Sequence, residues 1–91
     1  MEITFDPEKN AKNIRERGLS FEWAAEFDFD TAIYRIDNRH DYGETRISAL
    51  GYLGERLFVL IFVETKRGIR IISFRKANER EVRYYDQKTE S

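Results

Sequence analysis

Cysteine is absent from the chain, and histidine occurs once, at position 40. Without cysteine there is neither a disulfide framework nor a thiolate metal site, and one imidazole cannot build a histidine cluster. The composition therefore leans towards a reducing, cytoplasmic setting and towards a protein with no metal or other cofactor. No apolar run approaches the roughly 18 residues of a membrane span, and "MEITFDPEKN" lacks the basic start and apolar middle of a signal peptide, so a soluble protein without a membrane partner is expected. An excess of basic residues is also missing. The net charge is −1, which argues against a general nucleic-acid binder, because such proteins rely on a broad surplus of Lys and Arg. Internal repeats, low-complexity segments and linkers are not found either.

What is present is unevenly distributed. Between Lys66 and Arg83 seven basic residues stand against two acidic ones, a local net of +5, and the rest of the chain must carry −6 to reach the total of −1. That asymmetry suits a protein that meets a polyanion at one end and something basic at another. With 91 residues the chain is read as one domain, residues 1–86, followed by a flexible tail at 87–91. A domain of this size buries only about 60 to 65% of the surface its unfolded chain exposes, so its core is thin.

The pattern of residues predicts the elements. "ITF" at 3–5 is a possible short edge strand. Asp6-Pro7 then reads as an N-cap with proline at the first helical position, and the helix runs to about Arg17 and stops at Gly18, with Ala11, Ile14 and Leu19 inward. Ser20 caps a second helix, "FEWAAEFDF", in which Trp23 packs on the sheet. After Asp30 the period changes to that of strands: "TAIYRID", then "ETRISALGY" and "RLFVLIFV" as a hairpin around Gly54, then "IRIISFR" after "TKRG". The run Leu57 to Val63 is apolar throughout and reads as a central strand covered on both faces. A last helix runs from Ala77 to about Tyr85, and "DQKTES" frays. The predicted fold is α+β: two N-terminal helices packed on one face of a four-stranded antiparallel sheet, plus the possible N-terminal strand, followed by a C-terminal helix.

Three segments carry a resemblance. "FDPEKNAKNIRERGLSFEWAAEFDFD", "DNRHDYGETRISALGYLGERLFVLIFVE" and "IRIISFRKANEREVRYYD" resemble, in order and spacing, the BrnT family of type II toxins, which adopt a RelE-like ribonuclease fold. The most specific pieces are D-P-x-K-x-x-x-N, Y-G-E-x-R and R-I-I-S-x-R-x-A. The resemblance implies an RNA-cleaving toxin that inhibits translation and is silenced by a cognate BrnA-like antitoxin with a ribbon-helix-helix domain, operator DNA being met only through that antitoxin. One position departs: where family members commonly carry a histidine before the glycine that ends the first helix, this chain has Arg17.

The candidate site follows from what RNA cleavage needs. Without a metal it requires removal of the ribose 2′-OH proton, positive charge on the phosphorane-like transition state, and a proton for the departing 5′ oxygen, leaving a 2′,3′-cyclic phosphate. Arginine suits the second role, since its planar fork holds two phosphate oxygens and stays charged. Arg46, Arg70 and Arg75 are therefore the catalytic candidates, with Lys76, Arg80 and Tyr84 as RNA-binding residues. In a regular strand Arg70 and Arg75 face opposite sides; they share a groove only if the strand bulges or ends before Arg75, and an end is expected. Each residue has a plainer reading too. Arg70 pairs with Asp37 or Glu44; Glu81 either acts as general base or closes a capping box with Asn78; His40 either transfers protons or lies exposed in a polar turn; Tyr84 stacks on bases or packs in the core, with Tyr85 the core residue of the two. Lys9 and Asn13, one helical turn apart, either stabilise their helix or touch a partner. A competing function of another class is a non-catalytic antitoxin-binding module that tunes operator binding.

Overall fold

A computed structural model describes residues 1–90. In chain order the elements are β1 (Glu2–Phe5), α1 (Pro7–Arg17), a 3₁₀ helix (Phe21–Glu26), β2 (Ile33–Asp37), β3 (Arg46–Leu53), β4 (Arg56–Glu64), β5 (Gly68–Lys76) and α2 (Glu79–Thr89). The strands form one five-stranded sheet in the order β1-β5-β4-β3-β2, with β1 parallel to β5 and every other pair antiparallel. This corrects the sequence expectation of two N-terminal helices on a four-stranded antiparallel sheet. The sheet is mixed, and only one of the two early segments is an α-helix.

Each correction has a local cause. Gly68 opens β5 because a side chain there would overlap the Glu2 backbone; its lack of a Cβ lets β1 lie alongside. In the second early segment Phe21, Ala24 and Phe27 are buried and recur every third residue, which fits the three-residue turn of a 3₁₀ helix rather than the 3.6 of an α-helix. Trp23 falls off that stripe and is 50% exposed rather than packed on the sheet.

α1 has the ends its sequence predicts. Asp6 accepts a hydrogen bond from Glu8 N at 2.9 Å, and Gly18, at φ 66°, donates to Ile14 O at 2.8 Å. Its packing matches the expectation only at Leu19, which is buried. Ala11 and Ile14 face solvent, and the inward residue is Asn13, which donates from Nδ2 to Leu19 O at 2.8 Å and to Phe74 O at 2.9 Å. β1 ends at Phe5, level with Ile71, so α1 takes over the outer edge of β5 and satisfies a carbonyl that no strand reaches.

β4 is central, and Leu57 to Phe62 are all buried. Phe58, Leu60 and Phe62 join Ile69, Ile71 and Phe74 under the 3₁₀ helix; Leu57, Val59 and Ile61 face the other side with Leu50 and Tyr85. α2 covers only one end of that second side, where Tyr85 meets Tyr52 edge-on at 5.4 Å and donates from its hydroxyl to Thr31 O at 2.9 Å. Asp86 to Thr89, expected to fray, continue α2, while Ser91 lies outside the described residues. Among the described residues no helix is long and apolar enough to cross a membrane.

Candidate functional site

The half of the second sheet face that α2 leaves uncovered is shaped by an irregularity in β5. Ile61 pairs with Ser73 and Phe62 with Ile71, so Ile72 is an extra residue with no opposite number. A bulge of this kind resets the alternation of side chains. Before it Ile71 points to the 3₁₀ side and Arg70 away; after it Phe74 points to the 3₁₀ side and Ser73 and Arg75 away. Arg70 and Arg75 thereby share a face. The expected end of the strand before Arg75 does not occur, and β5 runs on to Lys76.

On the same face β3 contributes Arg46 and Ser48, and β2 contributes Arg35 opposite Ser48 and Asp37 opposite Arg46. Between them lies a groove of about 430 Å³ with Val59, Ile61, Ser48 and Ser73 along it and the arginines Arg17, Arg35, Arg39 and Arg75 around it. Asp37 is the one acidic residue in that lining. A smaller depression of about 210 Å³ adjoins it, sharing Arg35, Ser48 and Val59 and adding Arg80, Glu81 and Tyr84 from α2.

The arginines differ in how they are held. Arg75 makes two 2.8 Å hydrogen bonds to the Glu81 carboxylate. The same carboxylate accepts from Asn78 N at 2.9 Å while Asn78 Oδ1 accepts from Glu81 N at 2.8 Å, which closes the capping box at the start of α2. Arg75's fork, with its charge and the Asn78 amide adding to it, holds Glu81 below the usual carboxylate range, and the Glu81 bonds raise Arg75. Glu44 accepts from Arg70 at 2.8 and 2.9 Å and from Arg46 at 3.4 Å, and its pKa is lowered chiefly by Arg70. The Arg46 guanidinium also lies over the Tyr42 ring at 3.8 Å. Arg39 donates to Asp37 at 2.8 and 3.0 Å, which lowers the Asp37 pKa. Arg35 lies 4.9 Å over the Tyr84 ring. Arg17 has no carboxylate partner among the described residues: its Nη1 donates to Asn13 Oδ1 at 2.8 Å and to Phe74 O at 3.4 Å.

The remaining sequence candidates are only partly gathered at this groove. Lys76 follows Arg75 and alternates to the opposite side, exposed at the end of β5. His40 sits exposed in the β2–β3 loop, its ring edge-on to Tyr42 at 5.6 Å, next to the groove residues Asn38 and Arg39 but not itself lining the groove. Asn13 is buried and ties α1 to the sheet, while Lys9 borders a separate depression beside α1. Sequence reasoning did not select Arg17, Arg35 or Arg39. Arg35 had a signal, since it shares the alternation of Ile33 in "IYRID"; Arg17 had one in its spacing from Asn10 and Asn13 along one helical stripe. Among the described residues no three His, Asp or Glu side chains gather as a metal site would require.

A family model described as the ribonuclease toxin BrnT of type II toxin-antitoxin systems matches residues 5–81. A search of curated proteins found no match.

Proposed function

The chain belongs to the BrnT family of ribonuclease toxins of type II toxin-antitoxin systems, and on that premise we propose that the arginine-lined groove is where RNA is bound and cleaved. The observation that carries the reading is the β5 bulge, which brings Arg75 and Arg70 to the face that also holds Arg46 and the groove. A scissile phosphate in the groove would lie among guanidinium groups that stabilise the charge developing on the phosphorane.

The reaction proposed is attack of the ribose 2′ oxygen on phosphorus with cleavage of the bond to the 5′ oxygen. One proton leaves the 2′-OH, another reaches the 5′ oxygen, and a 2′,3′-cyclic phosphate remains without a metal. Arg75 supplies charge and orientation. Glu81 at neutral pH is a carboxylate whose basicity Arg75 suppresses. A phosphate that takes over one branch of the Arg75 fork removes part of that suppression, so the substrate itself makes Glu81 a better proton acceptor. Arg80 and Tyr84 in the adjoining depression offer a charge and an aromatic face to the neighbouring nucleotide. Arg70 and Arg46, joined through Glu44, lend positive potential along the same face; His40 stands at its margin beside Tyr42, while Lys76 projects from the opposite side of β5. In the cell this activity would inhibit translation in the cytoplasm, with a BrnA-like ribbon-helix-helix antitoxin silencing it and carrying any operator contact.

The test is cleavage of end-labelled RNA by antitoxin-free protein in EDTA. Wild type should release fragments ending in cyclic phosphate, and Arg75→Ala should cut at a rate lower by about 10² to 10³. Inert wild type that still binds antitoxin tightly would replace the ribonuclease reading with a partner module.

A further inference from the structure

What a phosphate gains from an arginine depends on what that arginine must give up. Of the four arginines around the groove, Arg75 and Arg39 are each already bonded through two donors to a carboxylate, and Arg35 lies on the Tyr84 ring. A phosphate arriving at Arg75 or Arg39 competes with an anion that is already seated. Arg17 is different. Its two acceptors, the Asn13 amide oxygen and the Phe74 carbonyl, are neutral and both engage Nη1, so its charge is not cancelled and its Nη2 and Nε donors remain for a ligand. The guanidinium is also oriented in advance, because Asn13 is buried and fixed by two further hydrogen bonds. The C-terminal end of α1 lies close by and carries a partial negative charge of about half a unit, less than the full charge on the guanidinium.

Position adds a second argument. Arg17 and Ser73 line both the groove and a neighbouring depression of about 230 Å³ beside α1, which also holds Lys9 and Lys12. Glu16 lines that depression as well, but its approach to Lys12 is loose, at 3.9 Å between exposed side chains. Arg17 is therefore the point where two basic hollows meet.

We infer that Arg17 is the principal phosphate anchor of the groove and that single-stranded RNA passes over it from the groove onto the Lys9–Lys12 face of α1. This rests on the groove being the RNA site. Paired arginines such as Arg75 then engage only the phosphate positioned for reaction, while Arg17 holds a neighbouring one through its free donors.

The experiment is fluorescence anisotropy with a fluorescein-labelled 2′-O-methyl oligouridylate, which cannot form the cyclic phosphate and so reports binding alone. Arg17→Gln removes the charge and leaves an uncharged polar side chain on a shorter stem. It should weaken binding about ten-fold or more and lower the slope of log K against log salt by about 0.7. Arg17→Lys should restore that slope while recovering only part of the affinity, since an ammonium lacks the fork. Arg56→Gln, at the start of β4 and away from both hollows, should change affinity by less than about three-fold. An Arg17→Gln protein that melts like wild type and binds within about two-fold of it would overturn the inference and leave the groove reading standing. Wild type that does not bind the oligonucleotide at all would remove both.

Discussion

Asn13 is the polar pin on which the site-bearing strand hangs, and replacing it with alanine gives a quantitative test. The side chain makes three hydrogen bonds, to Leu19 O at 2.8 Å, to Phe74 O at 2.9 Å and from Arg17 at 2.8 Å. At about 1 kcal/mol net for each, the loss is about 3 kcal/mol. The stranded Leu19 carbonyl adds to it, since Leu19 is almost wholly buried, whereas Phe74 O keeps its 3.4 Å bond from Arg17. For a domain of this length that corresponds to a fall in Tm of roughly 12 to 24 °C. Urea unfolding followed by circular dichroism gives the free energy directly, with an unchanged m-value showing that both states keep their compactness. Asn13→Leu refills the volume without the bonds, and it should be no more stable than the alanine variant. A loss below about 1 kcal/mol in Asn13→Ala, or rescue by leucine, would show that α1 is held by packing and not by its polar stripe.

Two further outcomes follow from the geometry. Glu81 has a folded pKa below its unfolded value of about 4.3, chiefly because Arg75 bonds its carboxylate, so the stabilisation is complete above the unfolded value and disappears as pH falls through the lowered folded one. The wild type should lose stability across that acid window, by a modest amount because both partners are partly exposed; Glu81→Gln should begin lower at neutral pH and run flatter, and parallel curves would contradict the pairing. Gly68→Ala should dislodge β1, because the new methyl overlaps the Glu2 backbone; hydrogen exchange should then show amide protection lost at residues 2–5 but kept around Leu60, and protection unchanged at β1 would mean that the two strands lie farther apart than described.

Much of the frame was legible locally. The caps of α1, the apolar β4, the Gly54 turn and the Asn78–Glu81 capping box are set by neighbours in sequence, so a linear reading reaches them. The plainer reading of Arg70 was also accessible, and its partner is Glu44. What escaped depends on distant residues. Four residues of β1 carry no mark of direction, and the partner that decides it begins at Gly68. The bulge hides in "IISF" because Ile72 and Ser73 are tolerated on either face, so nothing in their chemistry shows that both lie on one side. Arg17 was read only as a departure from a family pattern, because relatives commonly carry histidine there; its place on an inward polar stripe went unread, since such a stripe looks, in sequence, like a solvent face. Only the carbonyl of Phe74 at the end of that stripe reveals what it packs against.

The pairing of β1 with β5 also governs when the groove can form. Ile3 lies beside Ile69, and α1 grips Phe74, so the first and last thirds of the chain are woven together by contacts that close very long loops. Such non-local closure is slow, and it cannot begin until the ribosome has released β5. A growing chain consequently lacks the groove altogether, and whatever the groove does cannot begin before the strand that lines it is free to pair with both of its neighbours.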